Sequence, residues 1–231
     1  PMRVIAVSTL RSFWERHPDA EQPLKAWYEE ATNATWTQPA DIKALYRSAS
    51  VLKNRRVVFN IKGNDYRLIV AVAYKLQIVY VKFVGTHQEY DAVDAETVEM
   101  ACPATEENMD IRPLHTEADY KAPLKEISAL MESDPDLGTP EGDRLDILAT
   151  LVQAYEAKHV PITAPDPVEA IKFRMDQSGL SVKDLEPIIG KSNRVYEVLS
   201  RKRPLTLAMI RRLHKSLGIP ADVLIAETSA G

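Results

Sequence analysis

Val57-Val-Phe-Asn-Ile61, Tyr66-Arg-Leu-Ile-Val-Ala-Val-Ala-Tyr74 and Ile78-Val-Tyr-Val-Lys-Phe-Val84 are three runs in which the hydrophobic period falls to two. β-branched and aromatic residues dominate them, a composition suited to a pleated, half-buried surface. Lys62-Gly-Asn-Asp65 and Lys75-Leu-Gln77 leave room only for tight connections, so the runs predict an antiparallel meander. Alternation sends Tyr66, Leu68 and Val70 to one face and Arg67, Ile69 and Ala71 to the other. An arginine in such a strand needs a partner if it is to be buried.

Upstream, the period becomes helical. Ser8–Arg16 spaces Leu10, Phe13 and Trp14 for one buried face, with Ser8 or Thr9 as cap. His17-Pro18 stops this helix, because the residue before a proline is pushed out of the helical region. Asp19 then caps a second helix to about Thr32 that buries Leu24, Trp27 and Tyr28. Trp14 and Trp27 read as core rather than ligand platforms. Residues 1–98 thus predict a small α+β unit of two helices and a meander.

Downstream, residues 99–108 read as a linker. Two helices follow, 117–132 with Tyr120, Leu124, Ile127 and Leu130, and 140–159. Pro161-Ile-Thr-Ala-Pro-Asp-Pro167 is a proline-stiffened connection. Five short helices then fill an all-α segment. Asp166 caps the first and Gly179 ends it; Ser181 caps 182–189, which stops at Gly190. Lys191 or Ser192 opens a third through Ser200, Thr206 caps 207–217 before Gly218, and Pro220–Glu227 forms the fifth. No internal repeat is detectable.

A chain of 231 residues and 25.9 kDa fits one large domain or two small ones. With 45% hydrophobic and 27% charged residues, 8 glycines and 15 prolines, it is neither collagen-like nor disordered. The single cysteine, Cys102, excludes a disulfide framework and a multi-cysteine zinc site; no metal or other cofactor is expected. The longest apolar run, Leu68–Tyr74, is far short of the roughly 18 residues a membrane span needs, and no signal peptide opens the chain. A reducing, cytoplasmic setting and no membrane partner are the expectation. The net charge of −4 hides an asymmetry: about +2 over residues 1–98, −9 over 99–164 and +3 over 165–231. The acidic stretch is either a solvated linker or an element that docks on a basic surface elsewhere in the chain.

Two constellations carry chemistry. In the first module, Lys53, Arg56, Asn60, Lys62, Asn64 and Arg67 lie on or beside the meander, and Gly85-Thr-His-Gln-Glu-Tyr-Asp91 leaves its last strand. Cations there can neutralise an RNA phosphodiester while His87 and Tyr90 serve proton transfer; a lone histidine after a strand is more often structural, a balance that the nearby Tyr90 and Arg67 shift without deciding it. In the last module, helix, glycine turn and helix make a helix-turn-helix signature. Its third helix opens Lys191-Ser-Asn-Arg194, side chains able to reach base edges, with Val195, Val198 and Leu199 inward. Arg201-Lys-Arg203 is suited to phosphate, or is simply a solvated loop.

Gly179-Leu-Ser-Val-Lys-Asp-Leu185 and Leu199-Ser-Arg-Lys-Arg-Pro-Leu-Thr206 resemble the Cro/repressor-like (XRE) helix-turn-helix family. That resemblance makes Ser192, Asn193, Arg194 and Tyr196 base or groove readers, and Lys191, Arg201, Lys202 and Arg203 phosphate contacts. Arg11-Ser-Phe-Trp-Glu-Arg-His-Pro-Asp-Ala-Glu-Gln-Pro-Leu24, Val57–Leu68 and Val84-Gly-Thr-His-Gln-Glu-Tyr-Asp91 resemble the HigB toxins, RelE-like mRNA interferases of type II toxin–antitoxin systems. Residues 109–228, opening Met109-Asp-Ile-Arg-Pro-Leu-His-Thr-Glu-Ala-Asp-Tyr120, look like the cognate HigA antitoxins.

Together these resemblances imply a RelE-like toxin domain at 1–98, a linker at 99–108, an acidic neutralisation region at 109–164 and a DNA-binding domain at 165–231. They imply ribosome-dependent cleavage of mRNA, in which the ribose 2′-hydroxyl attacks the adjacent phosphate. Arg67 would stabilise the pentavalent phosphate. His87 would transfer protons, with Tyr90 as helper or base-stacking partner and Asp91 orienting His87 or capping a turn. Lys53, Arg56 and Lys62 would hold RNA phosphates, with Asn60 and Asn64 beside them. Many relatives carry another basic residue where His87 stands, so an acid and an electrostatic role both stay open. Helices 117–159 would neutralise the toxin, and the antitoxin part would bind operator DNA as a homodimer. Met100 and Met109 are alternative candidate antitoxin starts by this reading, in a natural fusion, an engineered one or two chains written as one. The rival readings are a transcriptional regulator whose first domain is a non-catalytic sensor or dimerisation module, and a non-catalytic RNA-binding scaffold.

Overall fold

In the computed structural model, residues 1–98 and 111–226 are described. The expected linker at 99–108, with Cys102 and Met100, lies outside them, as do Met109 and Glu227.

The meander forms as the alternation dictates and grows at both edges. In chain order come β1 (Arg3–Ile5), α1 (Ser8–Arg16), a 3-10 turn (Pro18–Ala20), α2 (Glu21–Asn33), α3 (Pro39–Leu45), β2 (Ser50–Val51), β3 (Arg56–Ile61), β4 (Tyr66–Ala73), β5 (Ile78–Thr86) and α4 (His87–Asp91). The sheet order is β1-β5-β4-β3-β2, with β1 parallel to β5 and the other pairs antiparallel. β1 and β2 are too short to show a two-residue period, which is why the sequence predicts only three strands. α3 is a further addition, opened by a capping box of Gln38 and Asp41 with Pro39 in its first turn.

In the first module two expected caps do not form. Ser8 already lies inside α1, which follows Val7 with no side-chain cap; the Ser8 hydroxyl instead meets the Tyr120 hydroxyl at 2.8 Å. Asp19 sits in the 3-10 turn and α2 begins at Glu21. The Asp19 carboxylate accepts from the Tyr66 hydroxyl (2.7 Å) and pairs with Lys62, so a tertiary partner outcompetes the local cap.

Register divides the sheet into two faces. One carries Phe59 and Tyr66 against the helices, with Trp27 edge-on to Phe59 at 5.5 Å and Phe13 edge-on to Tyr66 at 5.3 Å. The other carries Arg56, Ala71 and Tyr80 as one row and Asn60, Arg67 and Gly85 as another. The shift from Ile69↔Phe83 to Val70↔Val81 leaves Lys82 as the extra residue of a bulge.

That second face is partly roofed by α5 (Glu117–Ser133), while α6 (Pro140–His159) packs on β1 and α5. Tyr120, Leu124, Ile127 and Met131 of α5, with Leu145, Leu148, Ala149 and Val152 of α6, join the sheet in one apolar core. Roofed on both sides, every residue of β4 is buried.

The rest forms a second core from α7 (Pro167–Ser178), α8 (Glu186–Ile189), α9 (Ser192–Leu199), α10 (Leu207–Leu217) and α11 (Ala221–Leu224), packed around Ile171, Leu185, Val195, Val198 and Leu213. Asp166 caps α7 through the amides of Val168 and Glu169 (2.9 and 3.2 Å), and Gly179 ends it at φ +64. The expected helix at 182–189 is instead a 3-10 turn (Lys183–Leu185) followed by α8, because Pro187 can donate no amide to a continuous ladder. Among the described residues, no helix is long and apolar enough to cross a membrane.

Candidate nucleic-acid interfaces

Arg67 and Tyr90 meet at one end of the second sheet face, and His87 lies on the same helical turn as Tyr90. Thr86 caps α4 by accepting the Glu89 amide (3.2 Å), and the Glu89 carboxylate returns to the Thr86 amide (2.7 Å). This box fixes His87 and Tyr90 immediately beyond β5. The Arg67 guanidinium lies over the Tyr90 ring at 5.7 Å and donates to the Asn64 backbone carbonyl (3.0 Å) and Oδ1 (2.7 Å). Only 8% exposed, Arg67 has the partners that an arginine in a buried strand requires. The His87 imidazole is half exposed, with Nδ1 3.0 Å from an Asp91 carboxylate oxygen. A carboxylate on one ring nitrogen leaves the other to face a substrate. Asn60 stands directly across from Arg67 in the neighbouring strand.

Gly85 is the floor of this corner. A Cβ there would stand 2.4 Å from the tip of the Phe83 ring, so any larger residue displaces Phe83.

The other cations are not brought to the same place. Lys53 is exposed on the loop before β3. Arg56 lies four residues from Asn60 along β3, about 13 Å at the usual strand rise, and is 1% exposed. It donates to the Val98 carbonyl (2.6 Å) and pairs with Glu132 of α5 (2.9 Å). Lys62 turns toward the helical face, where Asp19 and Asp65 hold it.

The acidic segment meets the basic module through specific pairs. Glu132 engages Arg56 and lies 3.6 Å from Lys82; Asp134 reaches Arg55 (3.4 Å), Asp136 pairs with Lys75 and Asp146 with Arg3. Lys82 also donates to Ser128, and Tyr80 donates to the Leu124 carbonyl (3.1 Å). Sequence reasoning missed Lys82; its signal is a lone lysine inside an otherwise apolar strand. α5 therefore covers the Arg56 end of the face.

Glu156 of α6 was missed too. It is 3% exposed, accepts the Val7 amide at 2.8 Å and the Tyr120 hydroxyl, and so caps the start of α1 from another segment. Burial pushes its carboxyl up to about 7 despite these hydrogen bonds. An acid whose folded value lies above its unfolded one holds a proton the unfolded chain has lost. Its contribution therefore favours folding at low pH and falls as pH rises from about 4.5 to about 7. Glu156→Gln should remove this component, flattening the fall in melting temperature over that window. An unchanged slope would exclude Glu156 as its source.

In the C-terminal core, α9 points Val195 and Val198 inward and leaves Asn193, Arg194 and Tyr196 exposed, Tyr196 at 59%. Lys191 and Lys202 are exposed beside them. Three expected contacts have partners within the chain. Ser192 donates to Glu186, Arg203 pairs with Glu197 (2.6 Å), and Arg201 pairs with Asp166 (3.1 Å) and Glu169 (2.8 Å). Among the described residues, no cluster of three or more His, Cys, Asp or Glu is placed to hold a metal ion.

The HigB_toxin family, described as the RelE-like toxic component of a toxin-antitoxin system, matches residues 20–93. The mRNA interferase toxin HigB of Escherichia coli (strain K12) is 29% identical over 92 residues, 39% of this chain and 88% of that protein. The antitoxin HigA of the same strain is 30% identical over 120 residues, 48% of this chain and 83% of that protein. Antitoxin HigA of Shigella flexneri gives the same figures.

Proposed function

The chain belongs to the HigB and HigA toxin–antitoxin families, joining both parts in one polypeptide, and from that membership we propose that it is a self-inhibited, ribosome-dependent mRNA endonuclease whose other half binds operator DNA. The observation that carries the nuclease reading is the corner where Arg67 lies over Tyr90 beside the His87–Asp91 pair. Arg67, already a fixed cation in a low-dielectric wall, neutralises the extra charge of a pentavalent phosphate. His87, oriented by Asp91, exchanges the proton of the 2′-hydroxyl or of the leaving oxygen. The Tyr90 ring offers a face for a splayed base. Asn60 and Asn64 flank the phosphate, and Lys53 meets the strand beyond it.

α5, backed by α6, inhibits by docking on the Arg56 end of the face, withdrawing Arg56 and adding bulk that opposes entry into the ribosome. Expressing residues 1–98 alone tests the reading: transcripts on translating ribosomes should be cut and growth should stop. A domain that is folded by circular dichroism yet leaves those transcripts intact would remove the nuclease account.

For operator binding, α9 is the reading helix in a homodimer. Asn193, Arg194 and Tyr196 face the groove with Ser192 at the helix start, and Lys191 and Lys202 meet phosphate; Arg203 and Arg201 reach phosphate by exchanging their internal carboxylates. Arg194→Ala should relax sequence preference, at a cost of about 1–3 kcal/mol at the base it reads. Lys202→Ala should weaken all DNA alike and lower the salt slope by about 1. Titrations at several salt concentrations separate the two effects; unchanged discrimination in Arg194→Ala would rule out this docking.

A further inference from the structure

We propose that α7, the first helix of the C-terminal core, is a second toxin-binding surface, which clamps the β3–β4 hairpin beside Arg67 separately from the acidic helices; its inhibitory role rests on the mRNA-endonuclease reading above. α7 belongs to both halves of the molecule. Phe173 is part of the core shared with the sheet, whereas Ala170 and Ile171 are part of the C-terminal core. Arg174 is buried between Glu30 of α2 (3.1 Å) and the ring of Tyr46 (4.8 Å), and donates to the Leu45 carbonyl (3.2 Å). Tyr46 in turn donates to Glu30 at 2.8 Å.

The far end of α7 reaches the hairpin itself. The Gln177 side-chain amide donates to the Asn60 carbonyl (2.7 Å), and the Asp176 carboxylate accepts the Gly63 amide (3.0 Å). The Arg47 amide donates to the Gln177 carbonyl (3.0 Å). Asn60 is the cross-strand neighbour of Arg67, and Gly63 adjoins Asn64, whose two oxygens hold the Arg67 guanidinium. Segments of the antitoxin part therefore bracket the candidate site. Glu132 grips the Arg56 end through charge, and α7 grips the hairpin end through its backbone.

The two grips differ in chemistry. Exposed acid–cation pairs such as Lys75–Asp136 weaken as salt screens them, whereas hydrogen bonds to the Asn60 carbonyl and Gly63 amide carry little such dependence. Asn193, Arg194 and Tyr196 stay exposed while α7 is engaged. Operator binding and the hairpin clamp thus coexist, and a DNA-bound chain remains clamped.

The test uses the full chain. Asp176→Ala changes an exposed side chain and should leave the fold intact; Gln177→Ala, at a buried position, is a second variant, with melting temperature measured for both. Amide hydrogen exchange at Gly63 should quicken at least tenfold in Asp176→Ala, with operator affinity unchanged. Cleavage of ribosome-bound mRNA should rise at least tenfold when Asp176→Ala is added to a chain already carrying Glu132→Ala. Protection of Gly63 equal to the parent's would overturn the clamp. A Glu132→Ala chain that cleaves, but gains less than twofold from Asp176→Ala, would overturn its inhibitory role. If residues 1–98 and every variant are silent, the nuclease reading fails instead, and Gly63 exchange still decides whether α7 holds the hairpin.

Discussion

Arg67→Ala should lower message cleavage by the isolated 1–98 domain about a hundredfold or more, the loss typical when one preorganised charge stabiliser is removed. The size follows from how the guanidinium is held. Asn64 supplies two oxygens and Tyr90 a ring face, so the charge is aimed before substrate arrives and little reorganisation accompanies the reaction. Arg67→Lys should recover only a small part, because an ammonium cannot donate in a planar fork. Single-turnover cleavage on programmed ribosomes, with ribosome binding measured in parallel, checks this. Equal losses in binding and cleavage would mean that Arg67 holds the ribosome or message rather than the reacting phosphate.

Glu132→Ala carries the largest expected effect on the closed chain. Its carboxylate is what Arg56 meets beneath α5, and Lys82 lies close by. Removing one partner of a buried ion pair in general costs about 3–5 kcal/mol, and Arg56 keeps its bond to the Val98 carbonyl. Glu132 is itself one-third exposed, so a value near 2–3 kcal/mol is expected. Urea titration should register it, and the same chain should begin to cleave message. A midpoint change worth less than about 0.5 kcal/mol, the size of an ordinary surface substitution, would mean that the apolar contacts of α5 carry the docking alone. Glu132→Gln, which keeps a hydrogen-bond acceptor, should fall between.

The central strands and both faces of β4 were legible because their signal is local: alternation, tight turns and β-branched residues. The stretch at α9 was legible for the same reason. β1, β2 and α3 were not, since three, two and seven residues are too few to establish a period. At the site, Arg67, His87 and Tyr90 could be named from the sequence, but the meeting of Arg67 with Tyr90 depends on a capping box at Thr86 and on register. Lys62 was grouped with them by sequence proximity, yet the turn sends it to Asp19 on the opposite face. Lys82, Glu156 and Asp176 escaped notice because each acquires its meaning from a residue dozens of positions away. The charge asymmetry pointed to the docking of the acidic segment; it could not show that Glu132 is the residue that meets Arg56 and Lys82.

The bulge that places Lys82 beside the row of Arg56 and Tyr80 has a consequence for the opened molecule. Once α5 lifts, Tyr80 and the aliphatic positions around it meet water, and a bare sheet face of that kind invites stacking with its neighbours. Charged side chains on that face oppose such association, because burying them against a neighbour without partners is costly. Two side chains that are a burden in the closed state would keep the released enzyme dispersed, so replacing both with leucine should yield a tighter resting form that precipitates on activation.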